Sequence, residues 1–140
     1  MKQFTLPKTE RLYLRESISE LFANGSSFSA FPYRVVYLLK EENDETRPSE
    51  NRQSRCAVMT VAPKKRFKHA VDRNHVKRLT RESYRKQKLP LWDTLIEHKK
   101  VIEVAFIYID SNFISYEDTY HTIGKAISRL IKIVEKSSNE

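Results

Sequence analysis

Residues 64–88 read KKRFKHAVDRNHVKRLTRESYRKQK, with eleven Lys or Arg against two acids. The other 115 residues carry 15 bases and 16 acids, so the whole formal excess of +8 comes from this one window. Clustered like charge destabilises a compact state through self-repulsion, so an anionic partner is the first expectation. The pattern predicts a helix from about Ala70 to Lys86. At about 100° per residue, Arg73, Asn74, Lys77, Arg78, Arg81, Arg85 and Lys88 fall in one arc of about 140°. Val76, Leu79, Thr80 and Ser83 fall on a separate arc, suited to packing on a sheet. A solvated helix would interleave acids at i±4, yet only Asp72 and Glu82 are present, and neither lies within that basic arc. Arginine's planar fork grips phosphate with two donors, and Asn74 is placed to meet a sugar hydroxyl or a base edge.

Outward from this window the chain reads as one domain over 1–140. Leu14, Ile18, Leu21 and Phe22 mark a helix over Leu14–Ala23, stopped by Asn24-Gly25, with Gly25 suited to a left-handed cap. A strand follows over Tyr33–Lys40. The polar stretch 41–54 reads as a long mobile loop. Strands are predicted over Arg55–Ala62, ended by Pro63, and over Val101–Asp110; Pro90 closes the basic segment. The last helix starts at Ser115, where S-Y-E-D resembles a capping box. Tyr116, Tyr120, Ile123, Ile127, Leu130 and Val134 form its packed face, and residues 135–140 are expected to fray. A short extra strand is expected near Ala62–Phe67. The fold class is α+β, a single-domain α-β-β-(β)-α-β-α sandwich of one sheet with helices.

Composition narrows the function classes. The chain has 39% hydrophobic residues and one cysteine, Cys56, which excludes an internal disulfide framework and fits a reducing compartment. No signal peptide and no apolar run long enough for a bilayer are read, so a cytoplasmic location without membrane partners is expected. Two glycines cannot supply a G-x-G-x-x-G or P-loop motif. His69 and His75 are six apart, which is not the i, i+4 spacing of a helical metal pair. With His98 and His121 they suggest no metal site, and no catalytic constellation is evident. A stand-alone nuclease would need clustered carboxylates; outside the 41–50 loop the acids are dispersed. A ribosomal or DNA-binding protein using the same helix is the alternative, although a helix-turn-helix would need a second helix where Pro63 stands.

The segment VAPKKRFKHAVDRNHVKRLTRESYR resembles the signature of the protein subunit of bacterial ribonuclease P, A-V-x-R-N-R-x-K-R-x-x-R-E-x-[FY]-R. Ala70, Val71, Arg73, Asn74, Lys77, Arg78, Arg81, Glu82, Tyr84 and Arg85 match it. Arg11-Leu12, Phe22, Gly25, Tyr37 and Tyr116-Glu117 fall in family order, so the likeness spans about Leu6 to Val134. Two positions depart. His75 replaces the third basic residue of the core, and Lys68 stands where a glycine is common, with one residue inserted near Arg66 and Phe67.

The resemblance implies an accessory subunit that assists removal of the 5′ leader of precursor tRNA, with the active site in a large catalytic RNA. Partners are then that RNA, at 1:1, and precursor tRNA. Magnesium would enter through the RNA, with no protein ligand. Arg66, Lys68, Arg73, Asn74, His75, Lys77, Arg78, Arg81 and Arg85 would bind the catalytic RNA. A cleft between the first helix and the sheet would hold the leader, lined by Arg11, Ile18, Phe22, Phe31, Tyr37, Lys64 and Lys65. For Ile18 and Phe22, plain core packing weighs equally. The basic helix is expected in a left-handed β-α-β crossover, a feature resting on the resemblance alone.

Overall fold

A computed structural model describes residues 15–42 and 55–137. In chain order the elements are α1 (Arg15–Asn24), β1 (Ser26–Ala30), β2 (Tyr33–Glu41), β3 (Cys56–Val61), α2 (Ala70–Gln87), α3 (Leu89–His98), β4 (Lys100–Tyr108) and α4 (Tyr116–Ser137). They form one four-stranded sheet in the order β1-β2-β4-β3. The β1–β2 and β2–β4 pairs are antiparallel, and β3–β4 is parallel. A parallel pair needs a crossover, which here consists of α2 and α3.

Side-chain parity divides the sheet. Phe28, Tyr33, Val35, Val58, Val104 and Phe106 face the layer of α2, α3 and α4 and belong to the main core, with Val76, Tyr84, Leu91, Ile123, Leu130 and Val134 above them. On the other face α1 buries Leu21 against Val36, Ala57 and Ala105. The apolar run of β4 is explained by its place between two strands and two layers, for seven of its nine residues are buried.

Hydrogen bonds fix the basic helix to this frame. The Thr80 hydroxyl donates to the Val76 carbonyl at 2.8 Å, which leaves Tyr33 to donate to Thr80 Oγ1 at 2.6 Å. The Tyr84 hydroxyl donates to Cys56 Sγ at 3.1 Å and accepts from Trp92 Nε1 at 3.0 Å, joining α2, β3 and α3. Ser115 caps α4 as its S-Y-E-D sequence suggests, with Oγ accepting from the Asp118 N–H at 3.1 Å.

Four expectations are corrected. The extra strand is β1, at 26–30. Residues 62–67 instead turn tightly, with the Pro63 carbonyl accepting from the N–H groups of Arg66 and Phe67. In SSFSA only Phe28 is buried, so the strand carries almost no apolar periodicity and owes its form to pairing with β2. Second, Pro90 opens α3 near its first turn rather than closing the region; its missing N–H costs nothing there. Third, Gly25 has no positive φ. A Cβ at that position would stand 2.4 Å from the Leu21 carbonyl oxygen and 2.8 Å from that of Tyr37, so close backbone approach requires the glycine. Fourth, α4 remains helical to Ser137, past the start of the expected tail. The loop prediction falls mostly on 43–54, outside the described residues.

Candidate nucleic-acid interface

The charged arc of α2 survives folding with a division of labour. Asn74 and Arg78 are exposed and Lys77 is half-buried. Neither Lys77 nor Arg78 has an acid within ion-pair distance among the described residues. Arg73, expected to point outward, turns back: its Nη1 donates to the carbonyls of Phe67 and Lys68, each at 2.9 Å. It thereby braces the turn that leads into α2. Half-buried Arg81 reaches Thr60 Oγ1 at 3.5 Å, on the edge strand β3, and Arg85 is also half-buried. Lys68 is exposed, while Arg66 is half-buried with its Nε buried and unpartnered. His75 is exposed, and its ring meets Phe113 edge-on at 5.5 Å.

The second candidate surface lies across the sheet, beneath α1. Ile18 is partly buried against the small α1 cluster, and Phe22 beside it remains 47% exposed. Leu38, Met59 and Ile107 complete a partly open apolar floor. Arg34, Ile107 and Val61 lie in register across β2, β4 and β3, and exposed Lys64 and Lys65 follow three and four residues after Val61. One end of this face is therefore basic. Its other end carries an ion-pair cluster: Lys40 Nζ lies 2.6 Å from Glu20 and 3.6 Å from Glu103. Burial pulls the Lys40 ammonium down, but Glu20 and Glu103 outweigh it and hold the group above the ordinary lysine value. Burial pushes the Glu103 carboxyl up, against the pull of Lys40.

Two expected cleft residues are elsewhere. Tyr37 shares parity with Tyr33 and Val35, so it faces the α4 layer, with its ring 6.0 Å from that of Phe28. Phe31 sits in the β1–β2 turn, 69% exposed, six residues past Gly25 and hence about 20 Å along the strand. Arg11 lies outside the described residues. Arg34, Met59 and Ile107 were missed; the signal available was strand parity, once the face covered by α1 is known.

Burial raises the Tyr33 and Tyr108 hydroxyls to about 12, so both remain neutral. Among the described residues no group of three or more His, Cys, Asp or Glu is placed to hold a metal ion. No helix among them is long and apolar enough to cross a membrane.

Comparison with known proteins places this geometry. The sequence profile described as Ribonuclease P matches residues 6–129. The chain is 36% identical over 135 residues to the "Ribonuclease P protein component" of Porphyromonas gingivalis, covering 96% of this chain and 93% of that one. It is 30% identical to that of Chlorobium phaeobacteroides, covering 95% and 90%. The fold is similar to the RNase P protein of Staphylococcus aureus, with TM-score 0.62 and 16% identity over 89% of this chain and 97% of that one. It is also similar to that of Thermotoga maritima, with TM-score 0.61 and 20% identity over 86% and 96%.

Proposed function

The chain belongs to the ribonuclease P family as the accessory protein component of that endoribonuclease, and on that premise we propose that α2 docks on the catalytic RNA while the α1 face of the sheet holds the 5′ leader of precursor tRNA. The observation that carries the first half is the pair Lys77 and Arg78, set beside exposed Asn74 with no acid within ion-pair distance of either among the described residues. A guanidinium and an ammonium in that state are ready for phosphate, and the affinity they confer is steeply salt-dependent. Arg73, Arg81 and Tyr84 serve the same interface indirectly, by fixing the helix to the turn and to β3.

The second half is supported by the half-exposed Phe22 ring beside an apolar floor and a basic rim. Single-stranded RNA is held by aromatic stacking in a basic groove. Tyr37 has no part in that groove. The reading leaves magnesium on RNA phosphate oxygens and assigns it no protein ligand. It places the protein with its RNA, at 1:1, in the cytoplasm. The protein then lowers the cost of binding substrate and adds no group to the chemistry.

The test is leader removal by the cognate RNA at low magnesium, with and without the protein. Wild type should restore cleavage. Lys77→Ala with Arg78→Ala should weaken assembly and lower the salt slope by roughly 1.4 to 1.8, two contacts at 0.7 to 0.9 each. An unchanged slope in a folded double variant would remove α2 from the interface.

A further inference from the structure

The periodicity that packs α4 predicts six inward residues, but Tyr120 is 39% exposed and Tyr116 is half-buried. The two rings are 6.1 Å apart, and Lys86 Nζ stands 5.4 Å from the Tyr116 ring. They border a hollow of about 400 Å³ that shares Tyr120 with a longer open groove of about 700 Å³. The longer groove runs along α4 past Lys125, Arg129 and Lys132, all exposed.

The groove is a built feature. Gln87 crosses from α2 to donate to the Tyr120 carbonyl at 2.8 Å and to the Ser83 carbonyl at 3.0 Å. Gly124 makes room for it, since a Cβ there would lie 2.5 Å from Gln87 Oε1. A glycine inside a helix costs up to about 1 kcal/mol against alanine, and the crossing amide is the compensation. The Arg129 guanidinium lies over the Phe28 ring at 4.5 Å.

A merely solvated helix face would pair its bases with acids at i±3 or i±4. Lys125 and Arg129 have no acid at those spacings, and Lys132 has only Glu135. None of the three has an ion-pair partner among the described residues. Three cations without an acid partner, beside two tyrosine rings, match a chain of phosphates with unstacked bases.

We propose that this groove is a second RNA-binding site, taking an unpaired segment of the catalytic RNA with phosphates on Lys125, Arg129 and Lys132 and a base against Tyr120. The proposal rests on the reading of the partner as that RNA. Position selects the catalytic RNA over the leader. The groove belongs to the helix layer, and Lys86 and Gln87 of α2 contribute to it, whereas the leader surface is on the opposite face of the sheet. On α2, Lys86 and Leu79 lie on the other flank of the buried stripe from Lys77 and Arg81. One helix would thus be gripped along both sides.

Binding of the full chain to its catalytic RNA, titrated with KCl, tests the site. Lys125→Ala with Lys132→Ala should lower the salt slope by roughly 1.4, two single-strand contacts at about 0.7 each. Tyr120→Ala should weaken binding roughly 5- to 150-fold, the range for one stacked base, and Tyr120→Phe should restore it. Arg78→Ala is the control for the α2 interface. Groove variants with wild-type slope and affinity, beside an Arg78→Ala that still loses both, would overturn this site and leave the proposed function standing. A loss confined to precursor tRNA with a leader would overturn it as well, by making the groove a leader site.

Discussion

On one face of the sheet three helices bury Tyr33, Tyr84, Phe106 and Tyr108; on the other a ten-residue helix buries Leu21 against Val36, Ala57 and Ala105. The first face is filled by large rings tied through hydroxyls to neighbouring elements. The second is floored by small side chains, so Met59, Ile107 and Phe22 remain partly open to solvent. The difference separates two tasks within one sheet. Stability is concentrated where the surface is closed, and a surface with little buried area is left available for a ligand.

The comparison is broken most directly at its strong side. Phe106→Ala removes a fully buried ring from the closed face and should cost about 3 to 5 kcal/mol, read by denaturant unfolding. A cost below 1 kcal/mol would show that the helix layer does not carry the stability.

Next in size is the exchange of roles between two aromatic residues. Phe22→Ala should lose roughly 1 to 3 kcal/mol of affinity for leader-bearing precursor tRNA, with mature tRNA unaffected. Tyr37→Ala, on the closed face, should leave leader affinity unchanged and lower stability by about 1 kcal/mol, for half of a burial worth roughly 1.5 to 3. Leader affinity lost by Tyr37→Ala and kept by Phe22→Ala would reverse the assignment of the two faces.

The smallest effect sharpens the open face. Glu103 is held above the ordinary glutamate value, chiefly by burial. The folded state therefore binds that proton more tightly than the unfolded chain. Its contribution is complete below the unfolded glutamate value and is lost as pH rises through the folded one. Glu103→Gln should flatten that part of the stability profile, by under about 1 kcal/mol. A profile that stays unchanged would separate Glu103 from the pH response.

Much of this architecture is legible before folding. The α2 arc, the apolar run of β4 and the stripe of α4 are each decided by a repeating pattern within one element. What escaped depends on contacts between elements. β1 has a single buried residue, Phe28, with Ala30 partly buried beside it, and exists through its hydrogen bonds to β2. The ends of α3 are weakly signalled: Pro90 in its first turn also reads as a breaker, Lys88 makes no side-chain cap, and Lys99 occupies the left-handed position at φ 55° where glycine is expected. Family order assigns Tyr37 to the leader cleft, whereas its ring packs beside Phe28 in the other layer, because parity cannot say which face α1 will cover. Arg73 looks like its neighbours in sequence, and only the preceding turn turns it inward.

The crossover has a kinetic side. Cys56 pairs with Ile102, 46 positions away, and closing a loop of that length costs about 3 kcal/mol of chain entropy. The β1–β2 hairpin has no such separation to bridge. The β2–β4 pairing bridges at least 59 positions, Glu41 to Lys100, so both long closures converge on β4, and the one through β3 must bring with it the most self-repelling segment of the chain. Multivalent anions screen that repulsion. The time at which β3 amides become protected, measured by pulsed hydrogen exchange at several salt concentrations, records how far that closure is set by the same charges proposed to meet RNA.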